Sequence, residues 1–361
     1  VGSEMCIRDR FMGVALVLMI VLLLLTKPIV TVMSTPQEAV MGTISYLTIC
    51  FIGIPFITAY NIISAIFRGM GDSKSPMYFI TIACVANIVL DYVFIGGLHL
   101  GPAGAALGTT CAQVISVMIS LVMIIRQREK FSLSRKDFRL SHNIMGQILK
   151  IGIPIALQDG FIQVAFMIIT IIANQRGLND AAAVGIVEKI ISFLFLIPSS
   201  MLSTVSALGA QNIGAGKRQR ANETLRYAVM ITVGFGIIVG IFMQFFASPV
   251  VALFTDASDA SGAEVVRLGG QYLRGYVWDC MFAGIHFSFS GYFCACGKSG
   301  ISFLHNIIAI TLVRIPGVYL TSTLFPDTLF PMGLATAAGS LLSAIICVVA
   351  FTILNRKERQ K

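Results

Sequence analysis

Charge is what this chain has least of. Asp, Glu, Lys and Arg make up 12% of its 361 residues, where soluble domains carry about a quarter. Apolar residues fill 56% of it, and the mean hydropathy is +0.86. A soluble globular fold is excluded. Catalytic signatures are absent too: there is no H-E-x-x-H, no nucleophile elbow and no P-loop. A membrane-embedded enzyme has little support, and without an ATPase module this chain alone is not an ABC-type pump. Cysteine builds no framework, because most of the eight (Cys50, Cys84, Cys111, Cys280 and Cys347 among them) lie in apolar runs and read as small apolar side chains. Cys294 and Cys296 form C-x-C, but no second Cys/His pair stands nearby to complete a zinc site.

One stretch imitates a nucleotide site. "ALGAQNIGAGKRQRANE" (207–223) is crowded with glycine and carries a Gly-Lys pair. Gly209 and Gly214 have P-loop spacing, yet Ala215 stands where Lys is required, and a long apolar run precedes them instead of a short strand. The stretch reads instead as the end of a membrane helix, with glycines for close packing and chain exit. Lys217, Arg218 and Arg220 then anchor that end in the cytoplasm.

What is present is a series of apolar runs long enough to cross a hydrocarbon core as helices. About ten spans are expected, at 11–33, 46–66, 76–98, 103–125, 147–174, 183–208, 227–254, 271–293, 301–324 and 331–354. Lys and Arg crowd alternate connectors: "RGMGDSK", "RQREKFSLSRKDFRLSHN", "GKRQRANETLR", "CGKSG" and "NRKERQK". The positive-inside rule makes that side cytoplasmic, with Arg176 a minor exception on the other side. The net charge of +9 therefore reflects loop bias, and no nucleic-acid partner is expected. Pro154 and Pro198, in or near span interiors, either kink their helices statically or let them bend.

The chain also repeats itself. "SAIFRGMGDSKSP" (64–76) parallels "SGYFCACGKSGIS" (290–302), which sets Phe67 over Phe293 and Gly71 over Gly297. "GPAGAALGT" (101–109) parallels "FPMGLATAA" (330–338), "KPIV" parallels "SPVV", and Tyr46-Leu47 parallels Tyr272-Leu273. The offset, about 221 to 229 residues, suits duplicated transporter halves in the same orientation. The expectation is an all-α polytopic membrane protein, a two-lobe parallel-repeat transporter holding about ten of twelve helices. The second copy has six spans and the first four, so two helices, roughly 80 to 90 residues, are expected ahead of Phe11. Residues 1–10, "VGSEMCIRDR", look like translated adapter sequence and are set aside. The remaining divisions are a partial first lobe (11–125), a cytoplasmic basic linker (126–146), a second lobe (147–355) and a cytoplasmic tail (356–361).

These motifs resemble the multidrug and toxic compound extrusion (MATE) transporters. The resemblance rests on "IFRGMGDSKSP", "ANIVLDYVFI" with "GPAGAALGTT", "IGIPIALQ" and "ALGAQNIGAGKRQRA", in that family's order from residue 11 onward. It implies helices three to twelve of a twelve-helix fold, and the basic connectors and cysteine usage fit a bacterial inner membrane protein. It also implies export of amphipathic organic cations by antiport, with H⁺ favoured over Na⁺ as coupling ion and no other cofactor. A monomer bound to small-molecule cations and the lipid bilayer is the expected working form. The alternative is a flippase for lipid-linked oligosaccharide or peptidoglycan precursors. That activity calls for a cationic cavity, and the first-lobe spans hold no arginine cluster.

Asp91 is the leading candidate for coupling, because a carboxylate inside a span is costly unless it faces a cavity or a partner. The competing reading sets it at the outer membrane edge, merely hydrated. Asn87 lies one helical turn earlier on the same face. The resemblance implies that Asn87 and Asp91, with Thr109 on the next helix, form a cation site, completed in the family by an Asp on the first helix. In the second lobe, Na⁺-dependent relatives carry a Glu about two turns after Pro154, where this chain has Ile162. Gln158, Asp159 and Gln163 surround that position, and with Asp279 they are candidates for binding substrate or ion. Arg274 and Arg314 stand as possible ion-pair partners for the two acids. His286 and His305 read as hydrogen-bonded packing residues, although histidine can change charge near neutral pH. Aromatics such as Phe161, Phe166, Tyr276, Trp278 and Phe282 either pack at helical spacing or hold cations.

Overall fold

In hydrocarbon each backbone N–H and C=O must be satisfied within its own segment, so runs of Leu, Ile, Val and Phe this long fold as helices. The computed structural model describes residues 2–32, 37–126, 142–255 and 259–359, and among them there is no strand. The chain divides into two compact units, Val1–Met145 and Gly146–Lys361. The first contains α1 (Gly2–Val32), α2 (Gln37–Gly69), α3 (Lys74–Asp91), a π-helical turn (Tyr92–Gly97) and α4 (Gly101–Arg126). The second contains α5 (His142–Arg176), α6 (Leu178–Leu194), α7 (Leu196–Gly214), α8 (Arg218–Ala252), α9 (Ala260–Tyr276) and α10 (Asp279–Ala295). It closes with α11 (Ser299–Ala309), a second π-helical turn (Ile310–Arg314), α12 (Ile315–Leu324) and α13 (Phe330–Arg359).

Nine stretches of the described residues are long and apolar enough to cross a membrane. The tenth expected span, 271–293, is broken: α9 stops at Tyr276 and α10 starts at Asp279. No proline or glycine sits at the break. The chain instead tightens there, with Cys280 N–H donating to the Val277 carbonyl (3.0 Å) and Met281 N–H to that of Trp278 (3.2 Å). Other boundaries also differ. α1 takes in residues 2–10 of the segment set aside, and the span expected at 183–208 extends over 178–214 with a joint at Phe195. Pro198 falls in the first turn after that joint, where a missing N–H is tolerated, whereas Pro154 lies within α5. Most of the expected linker, residues 127–141, lies outside the described residues.

The internal repeat has a structural counterpart. Gly71 and Gly297, aligned by sequence, both take left-handed φ, +86° and +69°. Each ends its helix with the same bond: Asp72 N–H donates to Phe67 C=O (2.9 Å), and Lys298 N–H to Phe293 C=O (2.8 Å). This is the Schellman cap, in which an αL glycine lets the chain turn back on the last carbonyls. Gly216 repeats it a third time, with φ of +70° and Lys217 N–H on the Asn212 carbonyl (2.8 Å). The glycine-rich stretch that imitates a phosphate loop is thus a helix terminus.

In the second unit α9 crosses α13 at close range. A Cβ added at Gly275 would lie 2.5 Å from the Phe330 carbonyl oxygen, so the two backbones touch. Tyr272, Leu273, Tyr276, Leu329 and Met332 are fully buried around that crossing. At the acidic end of the unit, Arg176 acts as a strap. Its guanidinium bonds Asp180 (3.0 Å) and donates to the carbonyls of Ser322 (2.8 Å), Phe325 (3.2 Å), Pro326 (2.6 Å) and Thr328 (3.4 Å). An arginine that departs from the charge bias therefore ties the end of α5 to the α12–α13 connection. Replacing Arg176 with Met should remove about 2–3 kcal/mol of stability, since several charge-assisted bonds are lost together. Arg267→Met, which breaks an exposed pair with Glu264, should change little. Thermal unfolding of the detergent-solubilised protein checks this, and equal midpoints for the two variants would show that the strap contributes nothing.

Candidate functional site

In the first unit, Asp91 is the last residue of α3, directly before the π-helical turn. Such turns open a helix locally and recur at functional positions. The Asp91 carboxylate packs onto Gly108 of α4, so closely that any Cβ at 108 would overlap it. α3 and α4 run antiparallel, with Ser116 Oγ donating to the Phe79 carbonyl (3.4 Å) further along. That register sets Asn87, one turn before Asp91, level with residues 111–113 of α4. Three buried atoms in this region have no hydrogen-bond partner: Asp91 Oδ1, Asn87 Nδ2 and Gln113 Oε1. Thr109 does not join them. It is exposed, and its hydroxyl donates to the Ala105 carbonyl of its own helix (3.1 Å). The adjacent Thr110 is committed to the Ile49 carbonyl of α2 (3.3 Å). Gln113 was not singled out from sequence. The available signal was a lone amide in an apolar run, the same signal that pointed to Asn87.

In the second unit the polar residues converge on Arg314, the last residue of its π-helical turn. Its guanidinium pairs with Asp279 Oδ2 (2.8 Å), donates to the Tyr276 hydroxyl (3.2 Å) and lies over the Phe166 ring (5.5 Å to the centroid). Asp279 is fully buried and Arg314 nearly so. Gly339 on α13 leaves the space for the arginine, since a Cβ there would sit 2.8 Å from Arg314 Cβ. Of the two arginines offered as partners, Arg314 is the one bound. Arg274 instead reaches Ser248 (3.4 Å) and leaves its Nε unpartnered. The break in the span explains the placement of Asp279, which opens α10 in the first turn, where the amides and helix dipole favour an anion.

Glu188 of α6 belongs to the same group and was missed from sequence. It accepts from Thr170 Oγ1 (3.4 Å) and lies within electrostatic reach of Arg314. A lone acid within "AAAVGIVEKIISF" is the same signal that identified Asp91. Tyr272 sits beside Thr336, and Asp279 beside Ser340. The α5 candidates separate. Gln158 is completely buried with neither amide atom bonded, whereas Asp159 and Gln163, one turn apart, are exposed. Gln158 therefore faces the interior, and the other two share an outer stripe.

With this geometry in view, comparison with known proteins is specific. A sequence model of the MatE family matches residues 11–93 and 154–320. The chain belongs to the MatE family. It is 30% identical to "Probable multidrug resistance protein YpnP" of Bacillus subtilis (strain 168), over 82% of this chain and 65% of that protein. It is 26% identical to "Multidrug export protein MepA" of Staphylococcus aureus (strain MSSA476), over 94% of this chain and 72% of the relative. The chain thus spans 65% of the length of the first of these curated relatives. Among solved structures, a MATE protein in complex with MaL6 superposes with a TM-score of 0.92 at 20% identity, covering 98% of this chain and 79% of that one. The fold is therefore the two-lobe MATE fold, all-helical and membrane-spanning.

Truncating one partner of a buried ion pair leaves the other uncompensated, at a cost of about 3–5 kcal/mol. Arg314→Met should therefore destabilise the protein strongly, and Asp279→Asn combined with Arg314→Met should recover most of the loss. A double-mutant cycle on unfolding midpoints checks this, and additive losses would show that the two side chains are not energetically coupled.

Proposed function

We propose that the whole protein exports amphipathic organic cations in exchange for a coupling cation, and that the cation is H⁺ bound at Asp91. The observation carrying this is a buried carboxylate oxygen on a membrane helix with no hydrogen-bond partner, in a region that also leaves Asn87 and Gln113 unsatisfied. A proton needs a single acceptor, whereas a sodium ion needs a shell of oxygens. Among the described residues, only Asp91 and Gln113 offer unpartnered buried oxygens at this level of the first unit. Protonation turns the carboxylate into a neutral group with a donor, which favours different packing of α3 against α4. Thr109 is left outside this arrangement.

The second unit contributes a negatively biased interior. Glu188 and Asp279 share one guanidinium, so the group carries more acid than base. That balance suits cation handling and opposes the flippase alternative, which must accommodate an anionic pyrophosphate. We assign contact with an organic cation to Asp159 and Gln163, which are exposed on the outer stripe of α5, and an interior role to the buried Gln158. The relatives' names, a multidrug resistance protein and a multidrug export protein, support drug export as the activity.

Reconstituted into liposomes, the whole protein should move ethidium when a proton gradient is imposed and not when a sodium gradient replaces it. Asp91→Asn should reduce the proton-driven rate on the order of 100-fold, as loss of an essential proton-transfer group does. Undiminished export by that variant would remove Asp91 from the coupling role.

A further inference from the structure

The buried polar groups of the second unit do not stop at Arg314. Asp279, His286 and Ser290 recur along one side of α10 and are all buried. His286 and His305 face each other at 5.6 Å between ring centroids. His305, on α11, bonds Ser290 Oγ through Nε2 (2.9 Å) and Ser343 Oγ of α13 through Nδ1 (2.5 Å). Ser302 donates to the Ser290 carbonyl (3.3 Å), and Asn306 to that of Ser302 (3.3 Å). Ser340, three residues before Ser343, sits beside Asp279. At the basic end of the unit, Ser299 donates to the Lys150 carbonyl (3.1 Å). α5 keeps step alongside: Phe161 meets Phe303 (5.8 Å), and Phe166 meets Arg314. Gln158 therefore lies between the levels of Ser299 and Phe303, on the basic side of His305.

Serine and histidine between membrane helices often act simply as hydrogen-bonded glue, and His305 fits that description. Glue is satisfied, however, and this column is not. His286 Nδ1 and both amide atoms of Gln158 are buried without partners, each costly unless something polar passes or binds there. The charged groups facing His286 are His305 from α11 and Arg314 from the adjoining π-helical turn. α7 has no ionisable residue, and the charges of α8 and α13 lie at their basic ends.

We propose that this column is a proton path, in which water spanning the two helical turns between Asp279 and His286 carries protons to His286, and His286 passes them to His305 towards the basic end of the unit. One ring nitrogen of His286 takes up a proton as the other releases one, so the imidazole is neutral before and after and no redox partner is needed. His305 continues the transfer through serine hydroxyls, each of which both donates and accepts. His286 is a relay and does not bind the transported compound. The idea rests on the proton-coupled reading of the protein and extends it to a second lobe.

The test follows proton release with a pH-sensitive dye after the whole protein, in nanodiscs, is mixed with tetraphenylphosphonium. Wild type should release protons, and His286→Gln, which keeps a hydrogen-bonding amide, should slow release on the order of 100-fold with tetraphenylphosphonium affinity unchanged. In His286→Ala, added imidazole should restore the rate, a response that a purely structural histidine would not give. Should both His286 variants fail to fold, Ser343→Ala, which removes one partner of His305, must slow release for the path to stand. Wild-type release speed in His286→Gln would overturn the relay and leave proton coupling intact. No release from wild type would overturn both.

Discussion

A guanidinium cannot shed its charge under any biological condition, and Arg314 carries one into the interior of a membrane-spanning unit. Much of that unit is arranged around the consequence. The span that would have been the tenth breaks at Val277–Trp278, and the break turns Asp279 into the first residue of a helix facing the arginine. Tyr276 and Phe166 present a hydroxyl and a ring face to the same group, and Gly339 withholds a side chain to make room. The charge is then over-compensated, because Glu188 adds a second acid within reach. A unit that needed only to bury an arginine would have stopped at one carboxylate.

The two units solve a similar problem with opposite signs. In the first, an acid at the start of a π-helical turn lies against a glycine of the following helix. In the second, a base at the end of a π-helical turn does the same. The positions are not equivalent in the internal repeat, since the offset that aligns Gly71 with Gly297 would carry Asp91 to Gly317 and not to Arg314. Duplication supplied the helix pair and its cap, and the charged residue was placed separately in each half. The Schellman glycines show the inherited part: same residue, same φ, same bond. The charges show where the halves diverged.

The fold was legible because membrane helices leave a coarse signal that survives without tertiary information: length, apolarity and the sign of the connectors. The repeat was legible through glycine and proline, whose backbone roles tolerate few substitutes. The break at Val277–Trp278 was hidden, because neither residue is a helix breaker and the cause lies in Asp279 and Arg314, which are 35 residues apart in the chain. The site was read in part. Asp91, Asn87 and Asp279 announced themselves as polar groups in apolar runs, yet Glu188 and Gln113 carried the same mark and were overlooked. Thr109 was placed by resemblance alone, and a rotation of one residue on α4 separates it from Gly108, which the carboxylate touches.

α5 shows why such rotations escape a sequence reading. Its apolar residues surround it on every side, as expected of a helix with lipid or protein all round, so no periodicity marks its inner face. Gln158 and Asp159 are chain neighbours about 100° apart around the helix, and that angle puts one in a sealed interior and the other on the surface. An amide buried without a partner and a carboxylate left in the open are opposite choices for a helix governed only by packing. Hydropathy dictates neither choice, so the rotation that separates the two residues is set by what packs against α5, which the chain's own run of apolar residues does not reveal.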